Sequence, residues 1–551
     1  MRSRYHPPRR LLLACGLALV SVAFVSGCGS GSASGTHAPQ AVSPAAYYNS
    51  TAGASPGNSP RRGGVLTIAW SFTAGGLDPS ILPDQGSYLV TEMMFGHLLK
   101  WLPGRTTPAP DLATGWTESA DGLTYRFPLR QDARFSDGAP ITPADVLFSI
   151  QRVTTPTNPA YSELCCSQVR SVSLSGPRTL QITLRRPYRD FVDYMPDFTE
   201  IIPKAYFQRV GERQFALHPV SSGPFAVKRF TPDGVIELVR NPYYWQKGVP
   251  YLNGVTFVPT PDSNLRTLTV TTGQADVADG IPYATIASLT GAAGTRLLTQ
   301  PLADVSLIQL NQSSGPLRDS KVRLALSYAT PRAAILSDVF HGYARLANAD
   351  FPPGTDWSSS IKQVPYDLPE AKRLLATSSA PHGFPLQILV TSGDPSADLI
   401  ASIVRSSWSQ LGLSVTIRQV DSGTFAAATL SPSAKYQAAV VPAIFWTSNI
   451  PAPDEMAQFF INPDFAPDSF YTFFDDPSVT ALAQQELTTV SEAQHRALLQ
   501  RLQSLSITDP SVIALAYPDA VVLVRSDVCD FTTLFNGVYA LQTTYLASRC
   551  S

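Results

Sequence analysis

The residues Phe445–Asp454, FWTSNIPAPD, set a tryptophan, a threonine, an asparagine and two prolines directly behind an apolar run, Tyr436–Phe445. These groups suit a binding surface better than bond chemistry. The indole gives an apolar face with one donor. The side-chain amide of Asn449 donates and accepts hydrogen bonds without carrying charge. The signatures of reaction chemistry are missing: the sequence holds no GxSxG, HExxH, GxxxxGK[ST] or GxGxxG. The seven histidines, His6, His37, His97, His218, His341, His382 and His495, are scattered, and each reads as a surface or core residue. Asp454-Glu455 and Asp475-Asp476 are sequence neighbours, which point apart on an extended chain, and they read as solvated turn acids. Cys165, Cys166, Cys529 and Cys550 make no zinc-binding spacing. No catalytic residue, metal or cofactor is expected. A hydrolase whose triad is assembled only in space is the weakest alternative.

The elements that must position such a surface are legible along the chain. Gly64–Trp70 and Leu123–Leu129 alternate apolar and polar residues, as half-buried strands do. Asp137-Gly138 is a tight turn. Thr142-Pro143-Ala144-Asp145 opens a helix, with Thr142 as cap and proline at the first position; Val146, Ile150 and Val153 share its face. Asp319-Ser320 opens another helix, carrying Val322, Ala325, Leu326 and Ala329, and a further helix begins behind Thr330. Ile400, Ile403, Val404 and Leu411 form a third stripe, stopped by Gly412, before the alternating strand Leu413, Val415, Ile417. Tyr436–Phe445 reads as a buried strand. Strands alternating with helices imply α/β lobes with partly parallel sheets, where ligands sit beyond the carboxyl ends of strands. FWTSNIPAPD lies at such an end.

The chain of 551 residues is long enough for two or more lobes, and 41 Lys+Arg against 42 Asp+Glu leaves no basic excess for nucleic acid. Arg2, Arg4, Arg9 and Arg10 precede the apolar stretch Leu11–Ser26, a targeting segment too short to span a bilayer comfortably. Val25-Ser26-Gly27-Cys28 resembles the lipobox of bacterial lipoproteins. That resemblance implies a signal peptide over 1–27 and diacylation of Cys28, a two-chain and therefore stable anchor. Residues 28–63, rich in Gly, Ser, Ala and Pro, cannot bury a core and read as a flexible tether reaching about 30–35 Å. Export permits disulfides. The four remaining cysteines allow three pairings; Cys529 with Cys550 would close a short C-terminal loop, and the state of Cys165-Cys166 stays open.

Five motifs in series resemble one family. They are Pro110-Asp111-Leu112-Ala113 with Trp116; Leu129-Arg130 through Phe135-Ser136-Asp137-Gly138, Thr142–Val146 and Arg152; Gly223-Pro224-Phe225; Arg240-Asn241-Pro242-Tyr243-Tyr244-Trp245; and Asn311, Pro316, Asp319, Val322-Arg323, Ala325-Leu326. The chain is similar to the family 5 extracellular solute-binding proteins, the dipeptide, oligopeptide and nickel class serving ABC importers. Most of these residues are expected to hold the fold: Trp116 and Trp245 to fill cores, Arg323 to pair locally. The chain departs from the family pattern at Gly96-His97 and at Pro331-Arg332.

The resemblance implies an α/β, two-lobed periplasmic-binding-protein-like fold of type II, with a hinge between lobes and a subdomain inserted in lobe one. Lobe one would comprise 64–90, 190–305 and 510–551, the insertion 91–189, and lobe two 306–509. It implies a monomeric, lipid-anchored, extracytoplasmic protein that binds a peptide or small solute and works with ABC permease and ATPase subunits. A surface signalling or adhesion protein on the same fold, or a binder of a neutral sugar-like solute, are the alternatives. Ligand contacts are implied in the loop beyond Leu77-Asp78-Pro79, at Asp84 and Gln85, and at Phe445, Trp446, Thr447 and Asn449. Relatives that bind peptides carry an aspartate where Asn449 stands, gripping the ligand's ammonium. The implied cargo therefore lacks a free ammonium there, unless Asp84 or Asp454 supplies the charge.

Overall fold

The computed structural model describes residues 60–81, 84–156, 158, 168–348, 362–429, 435–442, 472–489 and 491–550. Cys28, Cys165, Cys166, Asp454 and the stretch Phe445–Asn449 lie outside the described residues.

Two sheets share one strand. Val512–Arg525, fourteen residues long, pairs antiparallel with Ser306–Leu310 through its first half and with Thr295–Pro301 through its second. On one side the order continues through Val277–Ala278, Val65–Trp70, Gly254–Pro259, Ile236–Arg240 and Phe225–Phe230. On the other it continues through Ala438–Val441, Pro385–Thr391 and Ser414–Val420. Val65–Trp70 runs parallel to Gly254–Pro259, and Pro385–Thr391 parallel to Ser414–Val420, while the remaining strands about the shared one are antiparallel. The mixture matches the partly parallel expectation. Of the buried strand read over Tyr436–Phe445, the regular part is Ala438–Val441.

The shared strand also divides the cores. Val512 and Ala514 face one core with Leu66, Ile68, Phe257 and Tyr125. Ile513 and Leu515 face another with Leu326, Ile388, Val404 and Trp408. The two-residue period of a strand puts its neighbours on opposite sides, so the consecutive residues Val512 to Leu515 feed different cores. Pro518 sits where the partner changes: it stands opposite Ala344, and Asp519 stands opposite Pro301. A proline gives no N–H to a ladder, and here it falls at the hand-off between ladders.

Local sequence rules build the helices. Thr142 and Asp145 make a reciprocal capping box before Pro143–Val153. Asp319 caps Ser320–Tyr328 and Asp394 caps Pro395–Trp408; Gly412, at φ 88°, stops the latter after a short 3-10 turn. Asp476, read as a solvated acid, instead caps Pro477–Leu487. A separate four-stranded sheet, Thr117–Glu118, Thr124–Pro128, Thr179–Leu184 and Val169–Leu174, occupies part of the stretch read as an insertion. Cys529 and Cys550 form a disulfide with Cα atoms 5.4 Å apart.

The motif residues bind one another across long sequence distances. Asp78 receives both guanidinium nitrogens of Arg152, at 2.5 and 2.7 Å, and the guanidinium lies 4.4 Å from the Phe207 ring centre. Asp111 accepts from Trp245 Nε1 at 3.2 Å, and Arg130 stacks 3.3 Å from the centre of that indole. Asn241 donates to Gly223 O at 2.8 Å. Two expectations fail. Trp116 is 37% exposed rather than in a core. Arg323 does not pair locally: besides the nearby carbonyls of Leu317 and Arg318, it bonds Pro510 O and Asp509, 186 residues away. A long guanidinium in a closed core takes whatever acceptors the tertiary fold brings to it.

Asp78 is 1% exposed at its side chain and Arg152 11%. Arg152→Ala therefore strands a buried carboxylate and is expected to cost about 3–5 kcal/mol. A urea unfolding curve whose midpoint stays at the wild-type value would contradict this.

Candidate functional site

The site is built at the carboxyl end of Val65–Trp70. This strand is VLTIAW, buried from Leu66 onward apart from Thr67, and it lies between Gly254–Pro259 and Val277–Ala278. Immediately beyond it, Ser71 is pinned by Asp279, which accepts from Ser71 N at 2.9 Å and from Tyr539 Oη at 3.0 Å. Burial pushes the Asp279 carboxyl above its usual range, while Arg266, 3.5 Å away, pulls it back.

The chain then folds back onto the start of the helix Gln85–Met94. Asp84 is that helix's N-cap: Oδ1 accepts from Ser87 N and Oδ2 from Gly75 N, each at 2.7 Å. Gly76 N donates to Ser87 Oγ at 3.3 Å. The backbone of Thr73 passes so close to Gly86 that a Cβ there would sit 1.9 Å from Thr73 O. Loop and helix start are clamped together by an aspartate, a serine and the missing side chain of a glycine.

This arrangement corrects the reading of Asp84 and Gln85 as loop residues. They are the cap and first residue of a helix, because an aspartate ahead of a helix-forming run satisfies the amides that the helix leaves open. The Asp84 carboxylate is spent on two backbone N–H groups, so it is poorly placed to supply charge to a ligand. Gln85 is different. Its Nε2 is shut off from solvent and makes no hydrogen bond among the described residues. Trp70 Nε1, on the last residue of the strand, is in the same condition, with its ring packed against Phe257 and Phe72. A dry, unpaired donor costs about 1–3 kcal/mol. The sequence reading took Trp70 only as the end of a strand; its side chain is buried in the core there.

On the second sheet, Ala438–Val441 is held between Ser306–Leu310 and Pro385–Thr391. The chain leaves its carboxyl end toward Phe445, Trp446, Thr447 and Asn449, which lie outside the described residues. Gln312, just beyond Leu310, donates its backbone N–H to Thr472 O at 2.8 Å. Its buried Nε2 is another donor without a partner among the described residues.

The histidines also differ from their scattered look in sequence. His97 Nε2 lies 3.2 Å from Glu92 and 4.0 Å from Glu200, and His495 lies 2.5 Å from Glu486, all buried at the side chain.

The sequence model of the bacterial extracellular solute-binding proteins, family 5, middle region, matches residues 107–467. The glutathione-binding protein GsiB of Salmonella typhi is 28% identical over 445 residues, 80% of this chain and 86% of its own. The periplasmic binding protein DppA of Helicobacter pylori, solved with the peptide STSA, superposes with a TM-score of 0.79 at 25% identity, covering 88% of this chain and 98% of that one. The oligopeptide-binding protein AppA of Bacillus subtilis, solved with a nonapeptide, gives 0.78 at 20% identity, covering 89% and 100%. The fold is the two-lobed, type II periplasmic-binding-protein architecture. No helix among the described residues is long and apolar enough to cross a membrane.

Gly86→Ala is expected to force the loop off the helix and destabilise the chain by about 1–3 kcal/mol. Gly76→Ala, whose Cβ would meet only Ala216 Cβ at 3.7 Å, is expected to change stability little. Equal melting temperatures for the two variants would refute the clamp.

Proposed function

Because the chain belongs to the bacterial extracellular solute-binding proteins of family 5, we propose that it is the lipid-anchored binding subunit of an ABC importer, holding a peptide-like small solute between its lobes and delivering it to a permease driven by ATPase subunits. It acts as an extracytoplasmic monomer and not as an enzyme. Residues 1–27 are removed, Cys28 carries the lipid, and 28–63 tether the lobes. Lobe one is 64–90, 190–305 and 510–551, with 91–189 inserted, and lobe two is 306–509.

The observation that carries the reading is the pair of dry donors, Trp70 Nε1 and Gln85 Nε2, at the carboxyl end of the strand where such sheets take ligands. Donors without acceptors suit a cargo rich in carbonyl or carboxylate oxygen, as peptide-like molecules are. The relatives named for glutathione support a short cargo of that kind. From the other lobe, Trp446 covers the ligand, Phe445 and Thr447 align it through their backbone, and Asn449 hydrogen-bonds it without charge. The cargo then carries no free ammonium at Asn449, since a neutral amide leaves a buried cation unbalanced. A neutral sugar-like solute is the second reading, favoured by the same uncharged Asn449.

Isothermal titration calorimetry tests this with glutathione, N-acetylated tripeptides and free-amino dipeptides and tripeptides. Trp446→Ala is expected to weaken binding sharply. Gln85→Pro, at a first helical position that tolerates proline, is expected to keep the fold and lose about ten-fold or more in affinity. Asn449→Asp is expected to bring no gain for the native cargo. Tight binding of ordinary free-amino peptides by the wild type would sink the proposal about the ammonium.

Cys28→Ala is expected to leave the protein unprocessed or released from the membrane. Membrane retention of a normally cleaved variant would remove the lipid anchor.

A further inference from the structure

The helix Gln85–Met94 that starts at the ligand-facing loop ends beside a second polar cluster with no part in that loop. Glu92 lies in its last turn. Phe95 caps the helix, donating its backbone N–H to Thr91 O, and the chain turns through Gly96 to His97. Glu200 arrives from a different segment. The three side chains meet: His97 Nε2, one carboxylate oxygen of Glu92 and one of Glu200 all lie within 4.8 Å of one another. His97 Nε2 is 3.2 Å from Glu92 Oε1 and 4.0 Å from Glu200 Oε1, and side-chain exposure is 5%, 6% and 2% for His97, Glu92 and Glu200.

The backbone beneath the cluster is pinned from both sides. Gly96 N donates to Ser222 Oγ at 2.9 Å, His97 N to Asp111 Oδ2 at 3.0 Å and Leu98 N to Thr199 Oγ1 at 2.9 Å. Ile201 N donates to Gly96 O at 2.9 Å. Both segments that carry ligand atoms are thus fixed before any ion arrives, which is the arrangement a preorganised site needs.

Two carboxyl groups share this pocket with one imidazole. Asp197 stands nearby, but Tyr88 Oη, Trp101 Nε1 and Asn536 Nδ2 all donate to it, at 2.9, 2.8 and 3.2 Å. Among the described residues no such set of donors is aimed at Glu200 Oε1. Glu200 Oε1 is buried and accepts no hydrogen bond among the described residues, although it faces the imidazole. With a neutral imidazole, two ionised carboxylates would leave two negative charges in a dry pocket, a costly state unless a cation is present.

We propose that Glu92, His97 and Glu200 form a binding site for a divalent transition-metal ion of the zinc type, separate from the solute site. One imidazole nitrogen with two carboxylate oxygens is a ligand set that zinc accepts, with a water in the fourth position. At the usual bond lengths, ligand atoms around a tetrahedral zinc stand about 3.4 Å apart. The observed spacing is therefore reached by small side-chain contractions. The ion cancels the two buried charges, and its role is structural: it ties the end of Gln85–Met94 to the segment around Glu200.

The test uses the purified full chain, stripped with chelator and dialysed against zinc chloride. One equivalent of zinc is expected by mass spectrometry of the metal, together with a rise in melting temperature that added chelator reverses. His97→Ala is expected to lose that equivalent and the thermal response. Glu200→Gln, which keeps shape and removes charge, is expected to weaken zinc binding sharply while the unliganded protein still melts cooperatively. His341→Ala, outside the cluster, is expected to behave as wild type. Wild type that takes up no zinc, or His97→Ala and Glu200→Gln variants that bind it as tightly as wild type, would overturn the site. A melting temperature that responds to pH but not to zinc would likewise overturn it, showing a shared proton in place of the ion. Solute binding by calorimetry is read separately, so failure of the metal site leaves the transport reading untouched.

Discussion

A single strand that serves two cores constrains everything else in this protein. Val512–Arg525 cannot slip by one residue without exchanging the faces it turns to both cores at once, because Val512 and Ala514 belong to one core and Ile513 and Leu515 to the other. Two buried arginines fasten the chain at its start and just ahead of it. Arg323 reaches Pro510 O, and Arg332 donates to Ala514 O at 2.8 Å and to Ser327 O at 3.0 Å. Burial lowers the Arg332 guanidinium to about 10, the cost of taking a cation into the core to fasten the strand. The two sheets are joined through the change of partners around Pro518 and the neighbouring connection Leu302–Val305. Two antiparallel segments crossing together form a hinge of the kind that closes over a ligand.

Much of this was legible in the sequence, and the legible part is local. Caps, turns and helix stops act over three or four residues, so Thr142 with Asp145, Asp319 and Gly412 declare themselves without a fold. Strand periodicity likewise marked Val65–Trp70 and Ser414–Val420. The partners of the motif residues were not legible, because they depend on contacts spanning 74 residues for Asp78 with Arg152 and 134 for Asp111 with Trp245. Trp116 shows the same limit in reverse: its type suggests a core, but only the packing of the small sheet decides that it stays exposed. The series of motifs thus identified the architecture while saying little about the cargo, since these residues spend their polar groups on one another.

The candidate solute site divides along the same line. Asp84 looked like a ligand contact and is consumed as a helix cap. Trp70 looked like the end of a strand, and its indole N–H meets no acceptor among the described residues. What distinguishes them is whether a complementary backbone group lies within reach, an N–H for the carboxylate and a carbonyl for the indole, and that is fixed by the fold rather than by residue type. His97 gave still less warning. Its carboxylate partners are five residues upstream and 103 residues downstream by number in the chain, and no spacing rule joins such a triplet.

The start and finish of the folded region lie side by side. Gly64 packs so near Leu546 that an added Cβ would stand 2.6 Å from its Cδ1, Tyr251 N donates to Gln542 O, and Cys550 is covalently fastened to Cys529. The order in which the chain is threaded is therefore separable from the shape it makes. A circular permutant, joined by a short bridge between these neighbouring ends and reopened at an exposed turn, keeps every ladder described above. In such a molecule the two ends can be moved around the surface while the sheets stay as they are.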